Sequence, residues 1–327
     1  MYHVSVSPHV RDKSSTKSIM RDVAIALIPT LGYGVYHYWK DYGPWPLMLI
    51  FISVASCVAF EAVFEYLTKR PITVFDYSAV VTGLILAVNL PPGATWWMPV
   101  LGAAFGIIAA KLLFGGLGQN FMNPALAGRC FLMISFTQRM TSFFPADVVS
   151  AATPLAEMKG MDALQKMPLL QLFLGNHNGC IGELSALCIL IGAAYLLIKK
   201  IISPAIPCVY IATTVVLIAV IRLLSGDEVT VNYLAAQLLS GGLLVGAFFM
   251  ATDYVTSPIT FKGKIVFGLL LGLLTALFRT LGSTAEGVSY AIIIGNLLVP
   301  IIEKKTISLP FGCERVKKVK TAKEESK

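Results

Sequence analysis

Charge is what this sequence has least of. Only 13% of its 327 residues are aspartate, glutamate, lysine or arginine, while 56% are hydrophobic; a soluble domain carries about 25% charged residues. That scarcity excludes a soluble fold, and the mean hydropathy of +0.74 agrees. Cysteine in metal-binding spacing is missing as well. Cys57, Cys130, Cys180, Cys188, Cys208 and Cys313 contain no C-x-x-C pair, which argues against a metal or iron–sulfur centre owned by this chain. Four of these thiols lie in apolar runs, where cysteine behaves as a small hydrophobe. The histidines His3, His9, His37 and His177 show no ligand spacing. No removable leader is expected, because the first apolar run is too long for a signal h-region. Nor does the net charge of +8 point to nucleic acid. The lysines and arginines fall in loops that flank apolar blocks, where they set topology.

What the chain has in abundance is apolar blocks, and a helical bilayer span takes roughly 20 residues. Ten blocks stand out, at residues 23–39, 46–66, 77–90, 98–114, 124–136, 181–198, 202–224, 238–251, 265–278 and 288–302, several of them shorter than a full span. The expected fold is therefore an all-α polytopic membrane protein with about ten transmembrane helices. The basic residues orient it. Arg11, Lys13, Lys17 and Arg21 precede the first span, Lys69 and Arg70 follow the second, Lys199 and Lys200 the sixth, and Lys262 and Lys264 the eighth. With the basic tail, all fall on one side, which the positive-inside rule makes cytoplasmic. A miscount by one span would scatter them, so the agreement checks the count.

The expected organisation is a cytoplasmic N-terminal segment (1–22), a first five-helix half (23–136), an extracytoplasmic loop (137–180), a second five-helix half (181–302) and a basic cytoplasmic tail (303–327). Five spans on either side of a loop require any internal repeat to be inverted. "LFGGLG" after the fourth span and "LFRTLG" after the ninth hint at such a repeat.

Polar residues inside the blocks carry the functional signals. Residues 116–132, GLGQNFMNPALAGRCFL, place Asn123 and Pro124 at the mouth of the fifth span and Arg129 inside it. Proline suits a first helical turn. Arg129 needs more explanation: a charge at this depth costs a few kcal/mol, so it should face the interior and serve a bound group such as a phosphate or a ring carbonyl. Asp253 either closes the eighth span in a turn with Thr256, Ser257 and Pro258 or serves function; residue chemistry leaves both open. Glu61 and Glu65 share a face of the second span. Glu65 is expected to be solvated, and Glu61, a turn deeper, is a candidate for a cation path. Asp76 and Lys111 are expected at the interface, with Lys111 snorkelling. Glu183 should open the sixth span, where a carboxylate suits the helix dipole. In the extracytoplasmic loop, residues 147–158 read DVVSAATPLAEM. Thr153 before Pro154 suits an N-cap for a helix over 155–166, and no nearby base marks it as a nucleophile.

Four segments together carry a family resemblance. They are SPHVRDKSSTKSIMRDV (7–23), GLGQNFMNPALAGRCFL (116–132), DVVSAATPL (147–155) and MATDYVTSP (250–258). The second is similar to G-x-N-x-x-N-P-A-x-x-x-R-x-F-L, and the third to the flavinylation motif D-x-x-[S/T]-G-A-T. In this order, across nearly the whole chain, they resemble the family of the RnfD component of the Rnf complex, the ion-translocating ferredoxin:NAD+ oxidoreductase. They are also similar to the NqrB component of the sodium-translocating NADH:quinone oxidoreductase.

The resemblance implies FMN held by a phosphoester on Thr153. Asp147 and Ser150 would mark the site for a flavin transferase, and Arg129 and Asn123 would line the flavin pocket. A second, non-covalent flavin is a further expectation. The protein would pass electrons in a prokaryotic cell membrane, coupled to moving Na+ or H+, with Glu61 and Asp253 as path candidates. Its implied partners are membrane iron–sulfur subunits, an extracytoplasmic FMN subunit, the transferase and membrane lipid. One departure matters: Ala151 stands where the motif has glycine, and alanine restricts backbone that glycine leaves free. Two rivals follow, a flavin-free scaffold in the complex and a passive solute channel of urea- or ammonium-channel-like architecture.

Overall fold

A computed structural model describes residues 15–141, 169–226, 229–282 and 287–307. Among these the regular structure is helical, with no strand. Helix α1 (Thr16–Tyr42) starts where Ser15 accepts a hydrogen bond from the Ser18 N–H, and stops at Gly43, whose φ of 58° lies in the left-handed region. Helix α2 (Trp45–Leu67) follows at once, with prolines at its entry. Then come α3 (Ser78–Val88), α4 (Trp97–Leu112) and α5 (Pro124–Ser135). The second half contributes α6 (Ala186–Ile198), α7 (Ala205–Leu224), α8 (Val231–Leu239), α9 (Leu243–Met250), α10 (Phe261–Leu281) and α11 (Val288–Thr306).

Every apolar block of the sequence is occupied by helix, but the helices are unequal. Four (α1, α2, α7 and α10) are long and apolar enough to cross a membrane. The pair α8 and α9, bent by 60° at a short break, meets the same length and composition only when its two helices are taken together. By contrast α3 has 11 residues and α5 has 12. At 1.5 Å per residue these reach about 16–18 Å, roughly half of the hydrocarbon thickness.

The reason α3 ends early lies in the other half of the chain. Asn89 folds its amide back onto the Ile85 carbonyl at 2.6 Å. The carbonyls at and just beyond the end of α3 are then met from outside: Gly182 N–H donates to Val88 O at 2.9 Å and Ile181 N–H to Leu90 O at 3.0 Å. The segment leading into α6 thus completes a helix it does not belong to, which satisfies groups that hydrocarbon cannot. The break between α8 and α9 is solved differently. Arg279 of α10 donates from Nη1 to Gln237 O at 2.6 Å and from Nη2 to Ser240 O at 3.1 Å and Gly241 O at 2.9 Å.

Packing is tightest where side chains are smallest. Helix α7 lies along α10, α2 along α3 and α4, and the two halves meet where α1 packs on α6 and α5 on α11. A Cβ at Gly192 of α6 would sit 2.2 Å from Ala26 O of α1, and one at Gly34 of α1 would sit 1.9 Å from Ile181 O. These backbones touch with nothing between them. Leu27, Leu49, Leu86, Met98, Leu126 and Phe267 fill the interior, while Ile28, Phe51 and Ile134 point outward. That outward apolar surface suits a membrane protein, whose exterior faces lipid.

Candidate functional site

Among the described residues two stretches are wound as π-helix, one in each half. The last eight residues of α4, Phe105–Leu112, and the last five of α9, Gly246–Met250, are π-helical. Such segments are rare and concentrate at functional sites. The first carries Lys111. The second leads into the loop that holds Thr252 and Asp253. Between them stands the start of α5. Asn123 caps this helix through Oδ1, which accepts from Ala125 N–H at 3.1 Å and Leu126 N–H at 3.4 Å. Its amide reaches across to Met250 O at 3.4 Å, so one asparagine ties α5 to the π-helical end of α9.

Two small cavities adjoin at this point, of about 50 and 40 Å³. Met20, Val81, Ile85, Asn123 and Asp253 line both. Thr252 and Phe249 complete the first, and Ser78, Thr82, Lys111 and Asn120 complete the second. At roughly 10–15 Å³ per water, each has room for about three to five waters.

Behind the second cavity lies a buried ion pair. Lys111 Nζ is 2.5 Å from Glu61 Oε1, and the two side chains are 2% and 1% exposed. The ammonium also donates to Ser78 Oγ at 2.7 Å. Ser78 is held in turn by Asp76, whose Oδ1 accepts from the Ser78 hydroxyl at 2.6 Å and from its N–H at 2.7 Å. Beside this pair and cavity, Glu61 Oε2 and Asn120 Oδ1 are buried with no hydrogen-bond partner among the described residues, as are the hydroxyls of Thr30, Tyr42, Thr95 and Ser289 elsewhere. Asp253, in the loop after α9, accepts from Thr256 Oγ1 at 2.9 Å. Burial raises its carboxyl above the usual carboxylate range, against the bonds from Thr256 and the Val255 and Tyr254 backbone.

A second cluster forms where Arg129, 3% exposed, turns to the other half of the chain. Its Nη1 donates to Asn89 Oδ1 and to Glu183 Oε1, the latter at 3.4 Å, and Nη2 lies 3.8 Å from Cys180 Sγ. The guanidinium therefore joins the capped end of α3 to the segment entering α6. Arg129 is six residues beyond Asn123 on α5, about 9 Å along the axis, so the two clusters are separate.

Of the expected site residues, Asn123 and Asp253 come together on shared cavity walls. Glu61 lies behind the same wall through Lys111, and Arg129 stands apart. Thr153, Asp147, Ser150 and Ala151 lie outside the described residues. Three expectations change. Lys111 does not snorkel, because its ammonium has a carboxylate partner inside the protein. Glu65 is not solvated; its carboxylate is buried and accepts from Thr73 N–H at 2.8 Å and from the Thr73 hydroxyl. Glu183 does not sit on the first turn of its helix, since α6 starts at Ala186 with Ser185 as N-cap, and its carboxylate pairs with Arg129 instead. Lys111 could have been found from sequence by one rule: opposite charges inside apolar blocks should pair. Asn120 and Asn89 carried no comparable signal.

The family model described as "NQR2, RnfD, RnfE family" matches residues 3–312. The chain belongs to that family. Among similar members of known name, the D component of the Na(+)-translocating ferredoxin:NAD(+) oxidoreductase complex of Acetobacterium woodii is 48% identical over 320 residues, 96% of each chain. The D component of the proton-translocating ferredoxin:NAD(+) oxidoreductase complex of Clostridium ljungdahlii is 38% identical, covering 96% of this chain and 97% of its own. The corresponding component of the ion-translocating oxidoreductase complex of Cronobacter sakazakii is 34% identical, covering 95% and 99%. These family members are named as subunits of ion-translocating oxidoreductase complexes. The first two are named for different ions.

Proposed function

We propose that this chain is the RnfD component of an Rnf-type ion-translocating ferredoxin:NAD+ oxidoreductase in a prokaryotic cell membrane. The observation that carries this reading is 48% identity to such a component along 96% of both chains. It spans the membrane about ten times as two inverted halves, with both termini cytoplasmic and residues 137–180 outside. The short and broken helices α3, α5, α8 and α9 support this arrangement, because inverted-repeat membrane proteins build their sites from discontinuous helices near the midplane. Membrane iron–sulfur subunits, an extracytoplasmic FMN subunit and a flavin transferase are its partners.

FMN is carried on Thr153, with Asp147 and Ser150 as marks for the transferase. Bound flavin supplies electron transfer; the chain supplies attachment, position and exclusion of water. The residues described differ in how well they suit a flavin ring. The cavities at Asn123 hold only a few waters, so a second, non-covalent flavin does not fit them as they stand. The Arg129 guanidinium is turned to Asn89 and Glu183, and a flavin oxygen would have to share it. A groove on α1 is roomier, about 760 Å³, lined by Tyr33, Tyr36, His37, Trp39, Lys40 and Asn176. That volume lies in the range of cofactor sites, and in the proposed orientation the groove shares a side with Thr153.

The test is in-gel flavin fluorescence of the chain co-expressed with its transferase, beside Thr153→Ala. Fluorescence that disappears in the variant supports covalent attachment at Thr153. A dark band from well-inserted native chain rejects it, leaves the flavin-free scaffold, and makes Ala151→Gly the next variant.

A further inference from the structure

The buried pair at Lys111 has the features of a cation site already occupied by the protein's own cation. Glu61 Oε1 and Ser78 Oγ both contact the ammonium, and Glu61 Oε2 has no hydrogen-bond partner among the described residues although the side chain is 1% exposed. A carboxylate buried with one oxygen unmatched is costly unless something else takes it. Lys111 also lines the small cavity whose other walls include Asp253 and Asn120, and Asn120 Oδ1 is another unmatched buried oxygen. The lysine rides on a π-helical segment, and the π-helical segment of the other half leads to Asp253. The charged groups around the pair are Glu65 on α2, Asp76 on the turn before α3, and Asp253 opposite; Cys57 lies beside it on α2.

We propose that Lys111 is a tethered competitor for a monovalent cation at the Glu61 carboxylate. With no cation bound, the ammonium holds Glu61 and Ser78. When Na+ or a proton takes Glu61, Lys111 turns into the cavity and pairs with Asp253. The entering cation adds one positive charge, which the Asp253 carboxylate balances once Lys111 has moved, so exchange never leaves Glu61 as a bare carboxylate in a low-dielectric interior. This proposal takes from the previous section only the kind of cation to try. The binding assay needs no flavin, so loss of the flavin reading and loss of this one give separate results.

The experiment uses the purified full-length chain. Sodium binding is measured by calorimetry against choline chloride at constant ionic strength, and thermal stability is followed across pH without sodium. Lys111→Met removes the competitor and should tighten sodium binding about tenfold, a coupling of ordinary size. Glu61→Gln should abolish binding. Asp253→Asn should weaken binding when Lys111 is present and leave it unchanged in the Lys111→Met background. If the cation is a proton, Lys111→Met will ignore sodium but gain stability as pH falls. Folding is controlled by the neutral double variant Lys111→Met/Glu61→Gln, which leaves no buried charge. A Lys111→Met chain that folds only with sodium or at low pH supports the proposal. A Lys111→Met chain indifferent to both, or one that fails under every condition while the double variant folds, overturns it.

Discussion

The hydroxyl of Tyr38 is bonded twice to Gly179, donating to its carbonyl at 2.7 Å and accepting from its N–H at 2.9 Å. One side chain thereby pins α1 to the segment that enters the second half. Tyr38→Phe leaves a buried donor and a buried acceptor unmatched. The expected cost is about 1–3 kcal/mol, seen as a lower unfolding temperature. Tyr66→Phe, at a residue 77% exposed, is the neutral control.

Arg129 and Glu183 form a buried inter-half ion pair at 3.4 Å. Removing one partner takes the opposite charge away from a buried ion, so Arg129→Met and Glu183→Leu should each cost up to about 3–5 kcal/mol. The double variant should cost clearly less than the two added together, because it buries no unpaired charge. Strict additivity in denaturant unfolding would show that the two side chains act independently.

Arg279 closes the break between α8 and α9 through carbonyls of Gln237, Ser240 and Gly241. Bonds from a charged donor are worth about 1.5–3 kcal/mol each, so Arg279→Met should loosen this bend above all. Hydrogen exchange should rise across Val231–Met250 and stay unchanged in α2. Arg279→Lys should restore only part of the protection, since an ammonium lacks the planar fork that reaches several carbonyls at once.

His177 lies in the loop before α6, and burial pushes its imidazole down to about 4, with His37 nearby. Its unperturbed value is 6.5. The folded value is the lower one, so this stability is complete above 6.5 and is lost as the pH falls towards about 4. Melting temperatures across that window should therefore drop with acid. His177→Gln should flatten the drop, and an identical slope in that variant would count against His177 as the titrating group.

Legibility from the sequence followed the kind of interaction. Apolar blocks report burial in lipid residue by residue, so every predicted block holds a helix. Pro124 and Asn123 fall at the start of α5 as expected, because capping is local chemistry. Helix length was harder to read. The 11 residues of α3 end where Ile181 and Gly182 arrive from half a chain away, and no local pattern announces that meeting. The same holds for Lys111, Glu65 and Glu183, whose expected positions came from the end of a span and whose actual ones come from partners on other elements. For Thr153, outside the described residues, capping chemistry alone reads a helix cap, and only the motif resemblance points to flavin attachment.

The bare backbone contact between α1 and α6 also bears on how the protein is made. Ala26 and Gly192 touch, yet half the chain separates them, and a chain leaves the ribosome N-terminus first. During synthesis α1 must wait in the bilayer with its groove for α6 open, covered by lipid or by some transient companion. A nascent chain stalled before α6 would hold an α1 and an α3 that nothing has yet completed. Membrane quality control would meet the first half alone as an unfinished object.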